Sequence, residues 1–143
     1  MSADLLLRLG NLAVLPAWVL LLVLPRWRGT QLIAALFAPA LIAAIYGVLL
    51  LSQLGAEGGG GFGSVAGIQR LFANPYVLVA GWYHYLAFDL VVGAWETRDA
   101  IRIGLPIWLR ASALGLTLLL GPLGLLLYLV GRAITRPRLA LVA

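Results

Sequence analysis

Four long apolar runs decide what this chain folds into. They cover residues 5–24, 33–51, 76–95 and 105–130, the last cleanest from Ala111. Each is close to the roughly 20 residues a helix needs to cross a hydrocarbon layer about 30 Å thick. Backbone groups in lipid must bond internally, so the runs are expected to be helices rather than open strands. Of the 143 residues, 63% are apolar and 10% charged, where a soluble domain is nearer roughly half and a quarter. So short a chain has too much surface to hide that apolar area from water. The expected fold is all-α: one transmembrane domain over residues 1–143, a polytopic four-helix bundle with a Gly-rich loop at 52–74.

The ten basic residues are all arginine, against five acids and one histidine, for a net charge of +5. They stand between apolar runs rather than on one solvated face. Membrane lipids are therefore the expected partners, and nucleic acid is not. With no cysteine, disulfides, thiol nucleophiles and thiolate metal sites are excluded. Met1-Ser2-Ala3-Asp4 carries no basic leader, so the chain reads as mature throughout. Four crossings would put both termini and the 52–74 loop on one side, with Arg8, Arg70, Arg132, Arg136 and Arg138. The other side would hold Arg26, Arg28, Arg98 and Arg102, with Arg110 just inside the fourth span. That near-balance does not fix orientation, although the basic C-terminal tail favours cytoplasmic termini. Tyr76, Trp82 and Tyr83 mark one boundary, and Trp27, Trp95 and Trp108 the other. The expected location is the cytoplasmic (inner) membrane of a bacterium.

Pro16, Pro39 and Pro122 fall inside spans, where a missing donor favours a kink. Pro25, Pro75 and Pro106 stand at span edges. The run Glu57-Gly58-Gly59-Gly60-Gly61-Phe62-Gly63 has no Gly-Lys-Ser/Thr after it and reads as a flexible linker. Beyond it, Val65, Ile68, Leu71 and Phe72 share one face of a short interfacial helix. Gly10, Gly47, Gly115 and Gly121 would admit close helix contacts, within one chain or in a homo-oligomer.

Polar residues concentrate between Trp82 and Arg102. At 100° per residue from His84, Arg102 falls near 0°, with Trp95 at about 20°, Phe88 about 40°, Asp99 about 60°, Glu96 about 120° and Asp89 about 140°. If one helix runs through Arg102, every ionisable group except Arg98 shares less than half its circumference. Lipid would penalise such a stripe, so it is expected to face the bundle interior or a wet cavity. Arg110 enters the fourth span from the same side and is the expected ion partner of Asp89, with Glu96 competing for it. Two readings stand. In one, Asp89 or Glu96 is an acid and His84 a base or a ligand-orienting group. In the other, Asp89 and Arg110 form a structural pair and His84 bonds a neighbouring helix. Glu96, Arg98, Asp99 and Arg102 lie near headgroup depth, where they either bind a ligand or form a solvated helix end paired through Asp99 and Arg102. One histidine and no cysteine exclude the usual zinc sets, and no carboxylate spacing specifies another metal. Neither a metal nor a cofactor is expected.

Leu71-Phe72-Ala73-Asn74-Pro75, Trp82-Tyr83-His84-Tyr85-Leu86-Ala87-Phe88-Asp89-Leu90, Gly93-Ala94-Trp95-Glu96 and Leu120-Gly121-Pro122-Leu123-Gly124-Leu125-Leu126-Leu127-Tyr128, closed by Arg132, follow one another in order. In these the chain resembles the ABA-deficient-four-like family of small four-helix membrane proteins. Plant members are implicated in forming neoxanthin from violaxanthin, an isomerisation of a carotenoid epoxide to an allenic alcohol. The resemblance implies a membrane-embedded protein that binds, and isomerises, a carotenoid or related isoprenoid lipid. His84, Asp89 and Glu96 are the matching positions for catalysis, with Trp82, Phe88 and Trp95 flanking the ligand. The alternatives are a non-catalytic scaffold or partner of a pigment-modifying enzyme, and a small transporter or proton-pathway protein.

Overall fold

A computed structural model describes residues 1–53 and 60–135. The segment Glu57-Gly58-Gly59 of the glycine run, and Arg136 and Arg138 of the basic tail, lie outside the described residues. Every regular element is helical: α1 (Ala3–Val23), α2 (Arg28–Leu51), α3 (Val65–Ala73), α4 (Pro75–Ile103), α5 (Ile107–Leu120) and α6 (Pro122–Thr135).

Local chemistry sets these ends. Ser2 caps α1 by accepting from the Leu5 N–H at 3.3 Å. Asn74 caps α4, its Oδ1 accepting from Tyr76 N–H at 2.9 Å, and Pro75 follows at the first helical position, where no donor is lost. Gly104, with φ of 70°, closes α4 in the left-handed conformation that suits glycine. α3 is the short helix expected at Val65–Phe72, capped by Ser64. Of the expected proline kinks, Pro16 leaves α1 continuous. Pro39 instead follows a π-helical turn, Ile33–Phe37, in which the Ala38 N–H reaches back to the Ile33 carbonyl. A proline lacks the donor that the normal ladder needs, and the widened turn absorbs the mismatch.

The fourth apolar run differs most from expectation. It does not form one span at 105–130. Gly121 takes a φ of 33°, and Pro122 starts a new helix rather than kinking an old one. α6 then folds back along α5. Two glycines allow this: a Cβ on Gly124 would lie 2.1 Å from the Thr117 backbone nitrogen, and one on Gly131 would lie 2.5 Å from Leu109. Each arm has 14 residues, about 21 Å of helix, short of the roughly 30 Å of a hydrocarbon core. Among the described residues three helices, α1, α2 and α4, are long and apolar enough to cross; α5 and α6 form a helical hairpin.

The hairpin changes which side each end occupies. Met1 sits by the α4 start, its carbonyl accepting from the Tyr76 hydroxyl at 3.2 Å. On that side Asn74 also donates to Gln53 at 2.9 Å. Arg132 of α6 instead meets Asp99 near the opposite end of α4, at 2.7 Å. Met1 and the last described residue, Thr135, therefore lie at opposite ends of the bundle, not together. Arg8 and Arg70 remain on the Met1 side, while Arg26, Arg28, Arg98, Arg102, Arg110 and Arg132 gather on the other.

α4 is the central rod. It runs for 29 residues through Arg102, beyond the expected boundary near Trp95. Against it pack Val14, Trp18 and Leu21 of α1, Ala34 and Ile42 of α2, and Leu114 of α5. Tyr83 crosses to α1, donating to the Leu6 carbonyl at 2.9 Å while its ring covers Gly10. Large apolar side chains point outward, including Leu12, Leu41, Val48, Leu119 and Leu126, as a lipid solvent requires.

Candidate functional site

The polar stripe of α4 is real, but the hairpin covers only part of it. α5 and α6 lie over α4 from Arg102 back to Asp89 and stop at Gly121. A Cβ on Gly121 would sit 2.8 Å from Asp89 Oδ1 and 3.2 Å from the Tyr85 ring. Below that tip the stripe is sealed. Above it the stripe is open to the bilayer.

In the sealed part, Glu96 is fully buried and accepts from the Thr117 hydroxyl at 3.1 and 3.0 Å. Asp99 accepts from three residues: Arg132 Nε at 2.7 Å, Arg102 through Nη2 at 2.7 Å and Nε at 3.2 Å, and the Tyr128 hydroxyl at 2.5 Å. Trp95 stands edge-on to Tyr128, centroids 5.1 Å apart. A carboxylate removed from water is tolerable when charge-assisted hydrogen bonds replace its hydration. Asp99 meets that condition and ties α6 to α4.

Above the tip the same stripe forms a notch. His84 and Phe88 are exposed, their rings 4.6 Å apart, and Tyr46 of α2 lies 5.7 Å from the imidazole. Trp82 stacks on Tyr85 at 5.1 Å and donates from Nε1 to Asn11 of α1 at 2.7 Å. Beside this pair is an apolar cavity of about 360 Å³, lined by Leu7, Phe72, Leu78, Val79, Gly81, Trp82 and Tyr85. Asp89 lies at the floor of the notch, half-buried, next to the Tyr85 hydroxyl, and its Oδ2 has no hydrogen-bond partner among the described residues.

The sequence-predicted residues thus divide. Asp89 lies at the hairpin tip beside Tyr85, on which Trp82 stacks, while His84 and Phe88 pair on the exposed face of α4 toward Tyr46 of α2. Glu96, Trp95 and Asp99 belong to the sealed part, and Arg102, itself exposed, closes its edge on Asp99. Arg98 is exposed on another face of α4, beside the start of α2. The expected Asp89–Arg110 ion pair is not made. Asp89 sits at the far tip of the hairpin, whereas Arg110 is in the first turn of α5, buried, with Arg26 as its charged neighbour and no partner for its Nε among the described residues. Because α4 continues to Ile103, α5 starts about 21 Å along the axis from Asp89, and its first turn does not reach that depth.

Sequence reasoning gave no site role to Asn11, Tyr85, Thr117 or Tyr128. Tyr85 and Tyr128 stand in the stretches that carry the family resemblance, and Tyr128 also lies four residues before Arg132, on the same helix face. Among the described residues no group of three or more His, Asp or Glu side chains gathers to hold a metal ion. A family model described as ABA DEFICIENT 4-like matches residues 5–128. No curated protein and no solved structure matches the chain.

Proposed function

The chain belongs to the ABA DEFICIENT 4-like family, and from that premise we propose that it binds a carotenoid-type isoprenoid lipid in the notch above the hairpin tip and isomerises it by proton transfer. The observation that supports this reading is an apolar cavity walled by Trp82 and Tyr85 with the Asp89 carboxyl group beside Tyr85; His84 stands next to Tyr85 in the chain, on the neighbouring exposed face. Trp82, Tyr85 and Phe88 offer flat faces to a polyene or its end ring. The opening is lateral, so a ligand dissolved in the bilayer enters without crossing water.

The chemistry balances without a redox partner. Asp89, in its acid form, gives a proton to an epoxide oxygen as the C–O bond breaks. His84 removes a vinylic proton, and the electrons of that C–H bond form the second double bond of the allene. The product is an isomer of the substrate. Tyr85, beside Asp89, orients the carboxyl group. Glu96 takes no part in this scheme, because its carboxylate is enclosed with Thr117.

The test compares pigments extracted from carotenoid-producing cells with and without the protein. An altered pigment is expected with the wild type and with Arg70→Gln, and none with Asp89→Asn or His84→Ala in folded protein. If both of those variants convert pigment normally, the site assignment fails. A pigment that co-purifies unchanged would favour the non-catalytic binding role.

A further inference from the structure

A second cavity lies at the opposite end of the bundle from the notch, where the α1–α2 turn meets the last turns of α4. Its volume is about 660 Å³. Three cations line it, Arg26, Arg28 and Arg98, and no acid does. Among the described residues none of the three is in an ion pair. The nearest carboxylate on α4, Asp99, is held by Arg102 and Arg132. Arg110 adds a fourth positive charge close to Arg26. Like charges gathered without an anion repel one another.

The lining also holds Gln31. Both of its side-chain polar atoms are buried and neither has a hydrogen-bond partner among the described residues. An amide removed from solvent with neither donor nor acceptor satisfied is costly. The remaining walls are apolar: Trp27, Leu32, Ala35 and Ile101. Three guanidinium groups match phosphate oxygens, the amide supplies one more donor, and the apolar walls match the first methylenes of a chain. Trp27 is 54% exposed, in the amphipathic position such rings take at a membrane boundary.

We infer that this cavity is a specific site for the phosphate headgroup of an anionic lipid, with Arg26, Arg28 and Arg98 on the phosphate, Gln31 donating to it, and Trp27 and Leu32 against the chain. The site is separate from the notch and does not depend on the reaction proposed there.

Native mass spectrometry of the full-length chain, with phosphatidylglycerol or phosphatidylcholine added to the detergent, reads the site directly. One phosphatidylglycerol is expected to be retained in preference to phosphatidylcholine. Arg26→Gln, Arg28→Gln and Arg98→Gln should each weaken retention about tenfold, the loss of one charge-assisted hydrogen bond. Gln31→Leu should weaken it with no change in charge, which diffuse attraction to a basic surface would not do. Arg8→Gln and Arg70→Gln, on the other side, should leave it unchanged. Arg98→Lys keeps the charge and guards against a folding defect; its retention should fall between wild type and Arg98→Gln. Equal retention of the two lipids overturns the proposal, as does an unaltered Gln31→Leu variant or an equal loss with Arg8→Gln. Displacement of the lipid by millimolar inorganic phosphate would assign the cavity to a soluble anion instead.

Discussion

Gly124 shows how much rests on one missing methyl group. A Cβ there would collide with the backbone of Thr117, which a rotamer change cannot relieve. Gly124→Ala is therefore expected to part the hairpin and cost about 1–3 kcal/mol, the usual range for overpacking; thermal unfolding in detergent checks it. Asp99 is the second such residue. Asp99→Asn removes the charge that Arg132 and Arg102 share, whereas Arg102→Gln leaves the bonds from Arg132 and Tyr128 in place. The first variant should lower the unfolding midpoint clearly more than the second, and a reversed order would contradict the geometry. At this scale the sequence was only partly legible. The helix angles grouped Asp89, Glu96 and Asp99 correctly on one flank of α4. They did not identify Thr117 or Tyr128 as partners, because helical periodicity says nothing about which residue of another helix arrives opposite.

Among the elements, α4 was legible and the fourth run was not. The reading of α4 depended on continuity through Arg102, and the helix is continuous. The fourth run carried a break signal in Gly121-Pro122, but a hydrophobic length near that of a full span outweighed it. A glycine–proline pair is a strong breaker, and it governs here because Gly124 and Gly131 make the return path sterically open. Gly121→Val tests the turn. Its φ of 33° is strained for a β-branched residue, and the new side chain would press on Asp89. Loss of pigment conversion is expected together with a lower unfolding midpoint and nearly unchanged far-ultraviolet helical signal. Full activity would mean that the hairpin tip does not shape the notch.

For the whole molecule, three crossings plus a hairpin turn a balanced arginine count into an unequal one. Four crossings left the count near balance, with the basic C-terminal tail favouring cytoplasmic termini. With the observed path, Arg8 and Arg70 stand against six arginines at the other end among the described residues, and positively charged ends stay in the cytoplasm. The Met1 side is then expected to face outward. The absence of cysteine makes this simple to measure: in intact cells an impermeant maleimide should label Ser2→Cys, and should label Thr135→Cys only after lysis. Equal labelling of both would overturn the path. The composition alone had established a membrane protein, since that follows from apolar area and length. The sidedness depended on one turn in the chain, and no compositional average registers a single turn.

The short reach of that hairpin has a consequence for supply. On its flank the protein covers α4 from the Arg102 end only as far as Asp89 and leaves the Met1-side half of that helix free. Only molecules residing in the Met1-side leaflet meet the aromatic faces directly; those in the opposite leaflet must flip first. A protein that binds the proposed lipid there would sample it mainly from that monolayer, and the distribution of the lipid across the bilayer, rather than its total amount, would govern how often the notch is filled.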